Sequence, residues 1–191
     1  MTTTAYCVGL TYPTGDYYNG QHPVPGAAAA NETMASIFRD QVGADYVYEG
    51  TDADGTAVTR AEILQNLRDL LNRAEPGDNV LFSFTGNGRS HAPRDERDPG
   101  AAELEADGAN EFIWASDGPI TDEDIRQVLQ EVPEGVNLVC EYNQRCYGHA
   151  WCAIPTHTHA MYSRRASSLT RPRPVAWWTP MCSSVMRSLA T

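Results

Sequence analysis

Two short polar stretches, each after an apolar run, set the chemical question: Gly86-Asn87-Gly88 follows Asn79 to Thr85, and Glu141 to Gly148 follows Val136 to Cys140. Two glycines flanking one polar residue suit a tight turn that aims a single side chain outward. On its own the pattern is unspecific. The second stretch carries Glu141, Asn143 and Cys146, so a carboxylate, an amide and a thiol share one segment. A cysteine becomes a nucleophile only as its thiolate, which requires a base or positive charge beside it. The five cysteines (Cys7, Cys140, Cys146, Cys152, Cys182) form an odd set without the paired short spacings of a structural zinc site, so free thiols in a reducing compartment are expected. His22, His91, His149, His157 and His159 are scattered over loop-like sequence. The His157-Thr158-His159 pair has chelating spacing, but it sits in a stretch with no regular pattern and reads as tail.

The elements that must position these residues alternate. Tyr6 to Tyr12 is a short apolar and aromatic run closed by Pro13 and Gly15, a buried strand ending in a loop. From Ala27 to Val42, Ala30, Met34, Ile37 and Phe38 recur at helical spacing. Ala44 to Tyr48 reads as a second strand. Thr59-Arg60-Ala61-Glu62 opens the next helix with a capping-box arrangement, and Ile63, Leu67, Leu70 and Leu71 form its apolar face. Pro76-Gly77-Asp78 stops it, and Asn79 to Thr85 is a third strand. Arg89 to Asn110 is polar and acidic, a long surface loop, and Phe112 to Ala115 is a brief apolar patch. Thr121 opens a further helix with Asp122 and Glu123 in its first turn, opposite the positive dipole end, and Val136 to Cys140 is a fourth strand. Strands alternating with helices imply right-handed crossovers and a largely parallel sheet covered on both faces.

At 191 residues one domain is expected, and 41% hydrophobic residues suffice for a core. The formal net charge is −11 and every one of the 14 basic residues is Arg, a balance that argues against a nucleic-acid partner. No run of about 18 apolar residues exists, and Met1 to Ala5 lacks the basic, apolar start of a signal peptide, so a cytoplasmic chain with no membrane partner is expected. Thr11 to Gly15 does not supply the phosphate-cradling glycine loop of a nucleotide-binding module.

The order of motifs along Tyr6 to Tyr142 resembles the metacaspase and caspase family. The quoted residues are Asn19-Gly20, Asn31-Glu32, Thr59-Arg60-Ala61-Glu62-Ile63, Pro76-Gly77-Asp78, Thr85-Gly86-Asn87-Gly88, Asp107-Gly108-Ala109-Asn110-Glu111, and Asp117 to Asp122. The resemblance implies an α/β, caspase-like three-layer sandwich with helices on both faces of a mostly parallel sheet, incomplete at its C-terminal part. It also implies a cysteine-type endopeptidase, in which a His on a Ser-Gly-His-Gly turn is the base towards a Cys in Asp-x-Cys-x-Ser-Gly. This chain places Asn87 at the His position and Asn143 at the Cys position, and lacks the Ser-Gly. An amide cannot accept a thiol proton at neutral pH. Cys146, with Cys140 on the other side, and His91 are the substitutes a shifted loop would offer.

By the same resemblance Glu32 and Glu141 would bind a basic side chain of a substrate; the plainer alternative is an exposed helical Glu and a strand-end Glu. Asp107, Asp122, Glu123 and Asp124 match acidic positions that bind calcium in many metacaspases, and hard oxygen ligands suit that ion. First-turn carboxylates also serve as helix-dipole partners. No other cofactor is expected. Two functions stay open: an impaired cysteine endopeptidase, or a pseudopeptidase that binds or regulates without hydrolysis. In either case the partner is a peptide or protein.

All 25 acidic residues lie between Asp16 and Glu141, whereas the last 50 residues hold six Arg and no carboxylate, and four of the five cysteines fall in the last 52. Periodicity and family motifs stop at the same place. Residues 1–142 are therefore expected to form the caspase-like domain, and 143–191 an irregular or disordered tail, or a stretch read outside the native frame. A core lacking the family's last strands would leave a sheet edge bare.

Overall fold

The computed structural model describes residues 1–13, 23–91, 110–146 and 158–163, with side chains at 1–13, 23–88 and 112–143. Its centre is β1 (Thr3–Gly9), flanked in parallel by β2 (Tyr46–Thr51) and β3 (Asn79–His91). Strand β3 pairs in turn with β6 (Asn137–Cys146), also parallel, and β6 with β7 (Thr158–Ser163), antiparallel. The far end of β3 turns away into a second ladder, with β4 (Asn110–Ala115) and then β5 (Gly118–Thr121), both antiparallel. Helices cover both faces, which makes the three-layer α/β sandwich of the caspase-like fold.

Helix α1 (Ala27–Ser36) and its π-helical continuation Ile37–Val42 lie on one face. The wider winding ends at Gly43, whose φ of 74° only glycine adopts at little cost. Ala35 and Phe38 pack there on Ala5, Cys7 and Leu81. Helices α2 (Arg60–Arg73) and α3 (Asp122–Gln130) lie on the other face over Tyr6, Val8, Phe82, Phe84 and Leu138. Both start at complete capping boxes. Thr59 accepts from the Glu62 amide and Glu62 accepts from the Thr59 amide at 2.8 Å; Thr121 and Asp124 repeat the exchange at 3.2 and 3.0 Å. The two helices are tied by Arg60 to Asp124 at 2.6 Å and Arg68 to Glu131 at 3.2 Å.

Four expectations change. Gly86-Asn87-Gly88 is no turn: β3 runs straight through it, held by β6 as far as Gly88 and by β4 from Gly88 onward. The patch Phe112 to Ala115 is a strand, because Ser116 and Asp117 turn the chain back so that Phe112 faces Thr121 and Ile113 faces Ile120. The second strand begins at Tyr46, not Ala44, set by the pairing of Thr4 with Tyr46. The fourth core strand extends to Cys146, past the Tyr142 boundary, and β7 covers the edge of β6 that was expected to be bare. Most of 143–191, like Asn19-Gly20, lies outside the described residues.

Candidate functional site

Strand alternation sorts the two faces residue by residue. On the α1 face the register places Val47, Ala5, Leu81 and Val139 in one lateral row, all apolar. The next row is Glu49, Cys7, Ser83 and Glu141; the one after is Thr51, Gly9, Thr85 and Asn143; then Asn87 stands opposite Arg145. This face therefore turns polar towards the carboxyl ends of its strands, where open parallel sheets build their sites. Gly9 lets α1 pack directly on this end of β1, since a side chain there would collide with Asn31 and the Ala27 carbonyl.

Asn87 and Asn143 come together. They occupy one face of neighbouring parallel strands, offset by two residues, because Asn143 is opposite Thr85. One strand spacing of about 4.8 Å and two rises of about 3.3 Å put their Cα atoms about 8 Å apart. Asn87 is 2% exposed, while Asn143 is half-buried. Two neutral amides thus stand where the resemblance puts a base and a nucleophile.

The described thiols do not replace them. Burial pushes Cys7 up to about 12, reinforced by the carboxylates of Glu49 and Glu141 and only partly offset by Arg39. Burial pushes Cys140 up to about 12 as well, and its place beside Leu138 and Tyr142 puts it on the opposite, α2/α3 face. Both stay protonated at neutral pH. Cys146 is opposite Gly88 and His91 opposite Asn110 in the ladders; their side chains lie outside the described residues.

Of the two expected substrate carboxylates, Glu141 lies in the polar row of the α1 face, and Glu32 is exposed on α1. The residue of that helix turned inward is Asn31, 3% exposed, whose amide donates to Glu49 at 3.5 Å. Glu49, also 3.5 Å from Arg39, is the acidic residue that sequence reading missed. Its signal was its even spacing from Val47 on β2, which puts both on one face.

Asp122, Glu123 and Asp124 are engaged within the protein. Asp122 accepts from the Glu123 amide at 2.9 Å, Glu123 pairs with Arg126 at 2.5 Å, and Asp124 joins the Thr121 cap to Arg60. Burial alone would raise Asp124, but the Thr121 amide, Arg60 and the Thr121 hydroxyl outweigh it and leave the carboxyl below its usual range. Glu123 and Asp124 are thus engaged in two ion pairs and a cap and Asp122 in a first-turn amide bond, and no cluster of three metal-ligating side chains exists among the described residues. Asp107 lies outside them. No helix among the described residues is long and apolar enough to cross a membrane.

Comparison with known proteins bears on this geometry. Residues 4–150 match the model of the metacaspase, peptidase C14 domain. Metacaspase-7 of Arabidopsis thaliana is 34% identical over 139 residues, 72% of this chain and 33% of that protein. The chain thus spans about a third of the length of that relative. A crystal structure of a Geobacter sulfurreducens protein superposes with a TM-score of 0.58 at 22% identity, covering 78% of this chain and 52% of the other, a likeness of fold.

Proposed function

The chain belongs to the metacaspase, peptidase C14, family, and from that premise we propose that it is a catalytically impaired cysteine-peptidase domain whose pocket binds a peptide without cleaving it. The observation that carries this reading is the β3–β6 register, which sets Asn87 and Asn143 on one face of neighbouring strands, two residues apart along the ladder; the motif resemblance matches them to the family's His and Cys. Neither amide takes or gives the proton that thiol attack requires, and the Asn143 amide offers no thiolate. Glu141 supports the choice of ligand: half-buried on β6, two residues before Asn143 and on the same face, its carboxylate suits an Arg or Lys side chain.

The chain's own residues then divide the work. Glu141 attracts and orients a basic side chain; Asn87 and Asn143 can donate to the peptide carbonyl beyond it. Binding proceeds and hydrolysis does not.

The test combines turnover and affinity on the full chain. An Arg-terminated fluorogenic peptide, with and without calcium, is expected to give no hydrolysis, while an uncleavable peptide of the same sequence binds, and Glu141→Gln weakens that binding about tenfold or more. Turnover that disappears on Cys146→Ser would restore the peptidase reading.

A further inference from the structure

Strand β1 stops at Gly9, whose ladder partner on β3 is Thr85, and one last backbone bond runs from the Leu10 amide to the Thr85 carbonyl at 2.9 Å. The amide of Asn87 points to the same side two residues further on, beyond the end of β1. Its acceptor is the phenolic oxygen of Tyr12, at 2.9 Å. The same hydroxyl donates to the Trp114 carbonyl on β4 at 2.7 Å. One side chain therefore joins the end of β1, the backbone at the family's His position and the β4–β5 hairpin.

Three independent features are arranged around that contact. Tyr12, 1% exposed, is the one non-glycine residue with positive φ among the described residues, at 53°, a conformation that a bulky side chain adopts only under constraint. The constraint is Asp52, itself 3% exposed, which accepts from the Thr11 amide at 2.6 Å, the Thr11 hydroxyl at 2.8 Å and the Tyr12 amide at 2.8 Å. Finally, a Cβ on Gly86 would lie 2.6 Å from the Tyr12 hydroxyl and 2.9 Å from the Phe84 ring. The first glycine of the Gly-Asn-Gly motif is required by this close approach and not by a turn, since Gly86 sits in regular strand.

We propose that Tyr12 is a positioning residue for the peptide-binding edge: its hydroxyl, seated in the space that a side chain at 86 would fill, sets the backbone of residue 87 and locks it to the β4–β5 hairpin. The proposal rests on the reading of the 87/143 edge as the binding site. Substituting Tyr12→Phe keeps the ring and removes only the hydroxyl.

Amide hydrogen exchange by NMR on the intact chain reads the contact directly. The Asn87 amide is expected to lose protection about five- to tenfold, the equivalent of one hydrogen bond, while the amides of Val80 and Phe82 keep theirs. Affinity for the Arg-terminated peptide falls by a similar factor. Gly86→Ala, which displaces the phenol from the other side, produces the same loss at Asn87. Unchanged exchange at Asn87 in Tyr12→Phe, even with a lower melting temperature, would overturn the proposal and leave Tyr12 as packing alone. So would lost protection with unchanged affinity in a parent chain that binds the peptide. A parent that binds no peptide defeats the binding reading alone, and the Asn87 exchange rate then decides the clamp.

Discussion

The two faces of the central sheet are made by alternate residues of the same strands, yet they are built to opposite rules. Towards α2 and α3 the rows are apolar beyond Thr4: Thr4, Val80 and Leu138; then Tyr6, Phe82 and Cys140; then Val8, Phe84 and Tyr142. Towards α1 a single apolar row gives way to Cys7, Ser83 and Glu141, then Gly9, Thr85 and Asn143. The first face carries stability, and the second spends part of its burial on groups that gain little from it. A polar edge on a small domain is tolerated because the opposite face supplies the core.

This contrast is sharpest under truncation. Phe82→Ala on the α2/α3 face, removing a ring with no exposure, should cost about 3–5 kcal/mol in urea unfolding. Ser83→Ala, its chain neighbour on the α1 face, should cost about 1 kcal/mol or less. Comparable losses at the two positions would erase the distinction.

A smaller effect tests the helices that cap the stable face. Thr59→Ala removes the acceptor for the Glu62 amide and should cost about 1 kcal/mol, with no change in peptide affinity. Acid provides the gentlest probe. The Thr59 amide and hydroxyl hold Glu62 below its usual range, the Glu75 and Thr2 amides do the same for Asp78, and Asp124 is lowered despite its burial. A carboxyl whose folded pKa is depressed stabilises the fold above its unfolded value and loses that contribution as pH falls through the folded one. The melting temperature should therefore be flat above about pH 5 and decline below about pH 4. Asp124→Asn should lower it at neutral pH and make the acid decline shallower.

The stable face was the more legible of the two. The Thr59 capping box, the helix start at Thr121, the spacing of Ile63, Leu67 and Leu71, and the apolar runs of β1 and β3 are local signals, and each reappears in the structure. The site was legible only through motif order, because Asn87 and Asn143 are brought together by strand register, which no local pattern encodes. Glu49 escaped notice because its meaning depends on lying opposite Cys7 across β1. Gly86 was misread for a related reason: a glycine serving a turn and one making room for Tyr12, 74 positions away in the chain, look alike in sequence. Glu32 was named from the motif resemblance alone, whereas the inward place of Asn31 is settled by the packing of α1 on Gly9.

The central claim is that residues 87 and 143 stand where a base and a thiol would act on each other. It is tested most directly by supplying both. The rate of iodoacetamide alkylation at position 143 at pH 6, followed by mass spectrometry of the peptide containing that position, is compared between Asn143→Cys and the double variant Asn87→His/Asn143→Cys. An imidazole in contact lowers the thiol pKa, so the account predicts alkylation about tenfold or more faster in the double variant. Equal rates in the two folded proteins would contradict it.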